Sequence, residues 1–169
     1  MKIAVLTLLL ASSTLAQRPV DPAATSCGPA HASLYVHLDK RPQTPSPPGP
    51  GMARIYFIQQ AGTPIRFAYP STRVGLDGAW VGALRPNSYF AVSVAPGDHH
   101  VCAVVPSIAI MIGTATELAH FSAEPGQTYY FRSRLILMQD RVYLELQPVD
   151  SDEALHLIAS DPVSIASPN

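Results

Sequence analysis

Apolar and polar residues alternate along most of the chain, and turn residues interrupt the alternation at short intervals. The clearest stretch runs from Arg73 to Cys102, where Asp77-Gly78, Pro86-Asn87 and Pro96-Gly97 separate four alternating segments. Asp-Gly favours positive φ at both central positions of a two-residue hairpin turn, and Pro-Gly favours a type II turn. The stretch therefore predicts a run of consecutive antiparallel strand pairs.

The same alternation predicts further strands on both sides of this stretch. They cover Ala32 to Leu38, Ala53 to Gln60, Ile65 to Tyr69, Leu118 to Ala123, Thr128 to Met138 and Arg141 to Gln147. A second Pro-Gly pair, Pro125-Gly126, also lies between two predicted strands, as Pro96-Gly97 does. We interpret this recurrence as shared hairpin chemistry rather than a true repeat. Many short strands with turns between them indicate an all-β fold, an antiparallel β-sandwich or a partly closed barrel.

One segment near the end of the chain has helical spacing instead. Asp150 followed by Glu153 fits a capping box, and Ala154, Leu157 and Ile158 form a narrow apolar stripe. This pattern predicts one short helix over residues 151–159 that packs on the sheets. We expect the sandwich domain to span residues 53–160 and residues 161–169 to form a tail.

The first sixteen residues have the organisation of a secretory signal peptide. Lys2 supplies a positive start, Ile3 to Ala11 an apolar run, and Thr14-Leu15-Ala16 a small-x-small cleavage site. We expect cleavage after Ala16 and a soluble protein in the periplasm or outside the cell; an uncleaved anchor is the alternative. No later segment approaches the ~20 apolar residues that a transmembrane helix needs.

Residues 17–52 form an N-terminal segment with one possible strand and a proline-rich segment, residues 41–51. The latter reads RPQTPSPPGPG and holds five prolines. Proline has no amide donor and favours extended polyproline II backbone. We therefore expect a linker or an exposed loop.

The chain has two cysteines, Cys27 and Cys102. In an oxidising compartment an even count favours a disulfide between them. Closing a loop of about 75 residues stabilises a fold by at most about 4.5 kcal/mol in the chain-entropy model. One buried and one exposed thiol is the alternative, and a redox pair is not expected because no CxxC motif is present.

Familiar catalytic apparatus is not recognisable in the sequence. Neither a GxSxG elbow nor a phosphate-binding glycine loop occurs. His99 and His100 are strand neighbours that point to opposite faces, and His120 lies on another strand where it can meet one of them. Zinc needs three or four converging ligands. We predict no enzyme activity, catalytic residue, metal or cofactor, and keep a metal-dependent hydrolase using these three histidines as the alternative.

The net charge and the apolar residues of the chain limit the kinds of partner that it can bind. A formal net charge of −1 gives no basic field for nucleic acid, which is not an expected partner. Trp80 is either a stacking platform or a half-buried hairpin aromatic. Residues 106–116 are apolar, with Ile108, Ile110 and Ile112 in period two, and form either a buried strand or an exposed flap that docks a partner.

These observations favour a non-enzymatic module that binds a protein or a cell-envelope component. The binding surface is expected at a sheet edge or at the Ile108 to Ile112 segment, with Trp80 as a further candidate. A purely structural envelope module is a third hypothesis. The sequence identifies neither the oligomeric state nor the partner.

Several phrases together resemble exported bacterial proteins of the domain of unknown function 2846 family. They are ARIYFI, GLDGAWVG, NSYFAVSVAPGDHHVC and FSAEPGQTYYFR, between Met52 and Gln147. The resemblance implies a small β-rich module, immunoglobulin-like or carboxypeptidase-regulatory-like, at or beyond the inner membrane and often a lipoprotein. No cysteine directly follows the apolar run of this signal segment, so a lipid anchor is not expected here. The resemblance implies no activity and no site residues.

Overall fold

Two β-sheets pack face to face in the computed structural model, which describes residues 27–29, 32–41, 43–62, 70–106, 114–138 and 141–168. The elements within these ranges are β1 (Leu34–Asp39), β2 (Ala53–Gln60), β3 (Thr72–Leu76), β4 (Ala79–Leu84), β5 (Ser88–Val94), β6 (Gly97–Val105), β7 (Ala115–Ala123), β8 (Thr128–Met138), β9 (Arg141–Pro148), α1 (Ser151–Ile158) and β10 (Val163–Pro168). The predicted all-β sandwich with one short helix is confirmed. The signal segment 1–16 and the predicted strand from Ile65 to Tyr69 lie outside the described residues.

The two sheets differ in size and in strand direction. The larger sheet has the order β1-β10-β5-β2-β8-β9, and the smaller one β4-β3-β6-β7. Most neighbours are antiparallel, as expected, but β2 runs parallel to β8 and β10 runs parallel to β5. Parallel neighbours need a long crossover between them. For β2 and β8 the chain supplies one by building the whole smaller sheet in between.

Only the first turn of the Arg73 to Cys102 stretch is a hairpin. Asp77 and Gly78, with φ of 50° and 83°, join the paired strands β3 and β4 as predicted. The Pro96-Gly97 turn instead leads from β5 in the larger sheet to β6 in the smaller one, and Pro125-Gly126 leads from β7 back to β8. The expectation of consecutive antiparallel pairs is wrong here. Turn chemistry makes the chain reverse, but it does not decide which sheet the next strand joins.

The main core fills the space between the sheets. Its largest fully buried side chains are Ile55 and Phe57 of β2, Val74 of β3, Leu84 of β4 and Val101 of β6. These residues occupy alternate positions along their strands, so the intervening side chains face outward. Each sheet therefore has an outer face that must either meet water or be covered by another part of the chain.

Helix α1 covers part of the outer face of the larger sheet. It begins where predicted, because Asp150 Oδ1 accepts a hydrogen bond from the Glu153 amide at 2.8 Å. The Glu153 side chain does not complete the capping box and pairs with Arg132 instead. Ala154 and Ile158 are buried against outward side chains of β2 and β5. No helix within the described ranges combines the length and apolar character that a membrane crossing requires.

The expected C-terminal tail is largely a strand. β10 pairs with β1 over its whole length, from Leu34 opposite Pro168 to Asp39 opposite Val163. The sandwich therefore extends beyond the expected boundaries 53–160 at both ends. The sequence of β10, VSIASP, is short, serine-rich and ends in proline, so its alternation gave little signal on its own.

Candidate functional site

Cys27 and Cys102 form a disulfide that covers the outer face of the smaller sheet. Their Cα atoms lie 5.2 Å apart, within the usual range for such bridges, and the predicted pairing is confirmed. Cys102 is fully buried although it points away from the main core, because Cys27 and its neighbours lie over it. We call residues 27–29 and 32, which cross this face, the strap.

Trp80 lies against the strap. Its indole Nε1 donates to the carbonyl of Pro29 at 2.8 Å. A Cβ added at Gly28 would overlap the indole ring, so only glycine fits there. The Arg73 guanidinium lies 4.8 Å from the ring centroid and also donates to the carbonyl of Ala32 at 2.6 Å. Trp80 is thus half-buried and engaged by its own chain.

His99 is held by two acceptors at one end of the sandwich. Its Nδ1 lies 2.6 Å from Asp77 Oδ2, and its Nε2 lies 2.8 Å from the carbonyl oxygen of Ala95. A carboxylate and a carbonyl accept only, so both contacts are hydrogen bonds together only when both ring nitrogens carry hydrogen, that is, when the ring is an imidazolium. Asp77 Oδ1 also accepts from the His100 amide at 2.8 Å. We call this arrangement the His99 clamp.

The pKa values in the clamp follow from these contacts. Burial acts to lower the pKa of His99, but the hydrogen bonds to Asp77 and Ala95 outweigh it and raise the pKa above its ordinary value. Burial also acts to raise the pKa of Asp77, and the hydrogen bonds from His100 and His99 outweigh it and lower the pKa. The clamp ties the β3–β4 turn to the corner between the sheets.

The structure separates the three histidines of the hydrolase hypothesis. His100 lies directly opposite His120 in the β6–β7 register, so the two share the outer face. His99 points the other way and stacks on Phe121, with ring centroids 5.5 Å apart. Within the described ranges, no three His, Cys, Asp or Glu side chains are grouped closely enough to hold a metal ion.

The proline-rich segment lies on the outer face of the larger sheet. The hydroxyl of Tyr56 accepts from the Ser46 amide at 2.9 Å and donates to the Ser46 carbonyl at 3.2 Å. Tyr56 also stacks on Tyr130, with ring centroids 5.4 Å apart. This segment is an exposed loop, as one of the two expectations had it, and the Tyr56 side chain attaches it to the sheet.

A cavity of about 370 Å³ opens beside this segment, between β5 and β10. Exposed residues Gln43 and Ser46 contribute one wall, and Tyr89 of β5 and Ser164 of β10 contribute others. Arg54 of β2 also lines it, and its guanidinium lies 5.9 Å from the centroid of the Tyr56 ring. No pattern in the sequence indicates this cavity, because the cavity depends on how two strands far apart in the chain diverge.

The predicted flap residues Ile108, Ile110 and Ile112 lie outside the described residues. Of the two edge strands of the larger sheet, β1 exposes Tyr35 at 61% of its surface, and β9 exposes Tyr143 at 45%. These edges differ in charge. Strand β9 carries Arg141 and Glu145, whereas the only charged residue of β1 is Asp39 at its end.

Comparison with known proteins adds no relationship to these observations: no protein-family model, no curated protein and no solved structure matches the chain.

Proposed function

We propose that this chain is an exported, non-enzymatic β-sandwich module that binds a protein or cell-envelope component by adding an extended segment of its partner to β1. The observation that carries the proposal is the unguarded outer edge of β1. Among the described residues, β1 has a strand partner on one side only, which is β10. Its other side offers backbone donors and acceptors to an incoming strand.

Edge strands of soluble proteins are usually protected against pairing by charged side chains or proline. Strand β9 follows this rule with Arg141 and a final Pro148, whereas its Glu145 is paired with Arg134 of β8. Strand β1 reads LYVHLD, and its single charge, Asp39, is neutralised by Arg41, whose Nη2 lies 2.6 Å from the Asp39 carboxylate. That pairing lowers the pKa of Asp39 to about 2.

The solvent-facing side of β1 adds an apolar contact surface. His37 lies opposite Ile165 of β10, and Tyr35 lies on the same face two residues earlier. Tyr35 and Ile165 are 61% and 38% exposed. A partner strand on β1 would gain both main-chain hydrogen bonds and an aromatic anchor, and tyrosine is a frequent anchor at protein interfaces.

Two further observations support the rest of the proposal. The Cys27–Cys102 pair is compatible with an oxidising compartment, as an exported protein requires. His99, the most buried of the three histidines in the hydrolase hypothesis, is fully occupied by the clamp. The signal peptide, the absence of enzyme activity and the resemblance to the domain of unknown function 2846 family stay predictions.

A charged residue placed on the β1 edge tests the proposal. Tyr35→Lys puts a charge where the partner strand would lie, and Tyr143→Lys makes the matched change on the opposite edge, β9. We expect the unchanged protein and Tyr143→Lys to retain the same partner from a native envelope extract, and Tyr35→Lys to lose it. Quantitative mass spectrometry of the bound fraction measures this, and thermal unfolding checks that both variants fold.

Other outcomes would contradict the proposal. If Tyr35→Lys retains the partner while deletion of residues 107–113 loses it, the binding site is the flap. If no component is enriched over a blank support, the module does not act by binding. Stoichiometric metal in the purified protein, removed together with a hydrolytic activity by His100→Ala, would establish the hydrolase instead.

A further inference from the structure

The cavity exists because β5 and β10 meet at one point and then separate. Their register contains a single residue pair, Tyr89 with Val163, where the Tyr89 amide also donates to the Pro162 carbonyl at 3.2 Å. Backbone groups alternate sides along a strand, so the amide and carbonyl of Ala91 face the same way as those of Tyr89, toward the gap. Beyond the pair, residues 90–92 and 164–166 face each other across the cavity.

Two buried polar groups at this cavity have no hydrogen-bond partner within the described part of the chain. The Oγ of Ser164 is one, in a residue that is only 4% exposed. The Nε of Arg54 is the other, while Nη1 of the same guanidinium donates to Ser93 at 3.3 Å. Buried polar groups are nearly always satisfied in native proteins, so two orphans beside one cavity point to a ligand that satisfies them.

The charge of the cavity selects the ligand class. Arg54 brings one positive charge, and among the described residues that line the cavity none is Asp or Glu. A carboxylate matches a single guanidinium in charge and can take two parallel hydrogen bonds from its Nε edge. Polar atoms and apolar side chains share the remaining wall, and the apolar side chains include Tyr89, Phe90 and Val92. A ligand of this cavity therefore needs polar groups as well as an apolar body.

We propose that this cavity binds a small organic carboxylate with an apolar body, with its carboxylate on Arg54 and its body in the gap that Ser164 lines. Its volume of about 370 Å³ lies near the lower end of the range for ligand sites, so the bound group is small. Gln43 and Ser46 form the outer wall, and the proline-rich segment thereby gains a role beyond connecting two strands. The cavity lies on the opposite side of β10 from β1, although Ile165 of β10 borders both sites. Absence of carboxylate binding would therefore leave the proposed partner binding at β1 untouched.

The bound carboxylate group can belong to a free carboxylic acid or to the C-terminus of a peptide. One arm of the test therefore uses benzoate, 4-hydroxyphenylacetate and hexanoate, each against its amide. The other uses acetylated tripeptides ending in Phe or Leu, with free and amidated C-termini. Isothermal titration calorimetry with the purified oxidised protein measures binding. We expect saturable binding of carboxylates in at least one arm and loss of binding for the matching amides.

Three variants connect the binding to the cavity. Arg54→Gln removes the charge and should weaken binding by about tenfold to a hundredfold, as expected for loss of a charged hydrogen-bond partner. Arg141→Gln is the matched control, since Arg141 is exposed on β9 and away from the cavity, and should bind normally. Ser164→Ala should weaken binding about threefold to tenfold without loss of thermal stability, because the Ser164 hydroxyl has no hydrogen-bond partner among the described residues.

The other outcomes of the calorimetry either support or overturn the carboxylate site. Binding in only one arm supports the site and identifies the source of the carboxylate. Absence of binding in both arms, equal binding of acids and amides, or unchanged affinity in Arg54→Gln overturns the proposal.

Discussion

The outer faces of the two sheets are covered in different ways. The face of the smaller sheet lies under the strap, a few residues fixed by the covalent bond between Cys27 and Cys102. The face of the larger sheet lies under α1 and the proline-rich segment, which are held by packing and hydrogen bonds. The helix buries Ala154 and Ile158, whereas the short strap has little apolar surface to bury. A small cover needs a covalent attachment, and a larger one is held by its own packing.

The covers also differ in how completely they close the sheet beneath them. The strap packs against Trp80 so closely that Gly28 has no room for a side chain. The proline-rich segment lies beside a gap in the larger sheet and leaves the cavity open. Prolines supply no amide donors, so this segment cannot fill the gap as a hydrogen-bonded strand.

The largest expected effect comes from removing the covalent cover. The double variant Cys27→Ser, Cys102→Ser should lose up to about 4.5 kcal/mol of unfolding free energy, because the loop of about 75 residues is no longer closed in the unfolded chain. Denaturant unfolding of the variant and of the oxidised protein measures the difference. A loss below about 1 kcal/mol would mean that Trp80 and Arg73 hold the strap without the disulfide, and the distinction between the two covers would disappear.

A smaller effect is expected from loosening the packed cover. Ile158→Ala should lower the free energy of unfolding by about 2 to 4 kcal/mol. Ile158 is only 5% exposed, so shortening its side chain leaves a cavity under α1. Leu155→Ala on the same helix is the control; Leu155 is 42% exposed, and its change should stay within about 0.5 kcal/mol. Urea unfolding compares both variants. Equal losses would show that α1 is held by its caps and ion pairs rather than by its buried face.

The smallest effect concerns pH and should distinguish the two sheets. Because the folded-state pKa of His99 is raised, its stabilising contribution is full below the ordinary histidine pKa near 6.5 and is lost as pH rises through the folded value. The Asp77 contribution is lost in acid, as pH falls through its lowered pKa. At pH values between the lowered pKa of Asp77 and the raised pKa of His99, His99→Gln should lower the free energy of unfolding by on the order of 1 kcal/mol. This loss should become smaller toward alkaline pH.

Hydrogen exchange locates this pH effect. The clamp joins the β3–β4 turn to the start of β6, so raising the pH should weaken amide protection there and leave β2 and β8 of the larger sheet unchanged. His120→Gln serves as the control, since His120 is exposed and outside the clamp. A uniform loss of protection in both sheets would mean that the clamp supports the whole sandwich.

Local features of the fold were predictable from the sequence. The bounds of β2 and β8 agree with the predicted strands at every residue, and the Asp77-Gly78 turn has the predicted backbone. These features depend on residues close together in the chain. The sheet to which each strand belongs was not predictable, because a Pro-Gly turn has the same local chemistry at a hairpin and at a corner between sheets.

The candidate sites show the same division. The pairing of Cys27 with Cys102 followed from their number, and the opposite orientations of His99 and His100 followed from strand geometry. Arg54 and Ser164 carried no signal in the sequence, because their significance depends on the hydrogen bonds they lack within the fold. Only part of the role of Asp77 can be predicted from the sequence. The Asp-Gly pair predicts its place in a turn, but its contact with His99 depends on two segments that are distant in the chain.

The pairing of β1 with β10 has a consequence for the order of folding. The first described strand of the chain has the last one as its only neighbour in the sheet. A chain synthesised from its N-terminus therefore carries β1 without this partner until β10 has been made. Such distant contacts are slow to form because a long loop must close first. The edge on which the proposed partner would dock is thus among the last parts of the described sandwich to be assembled.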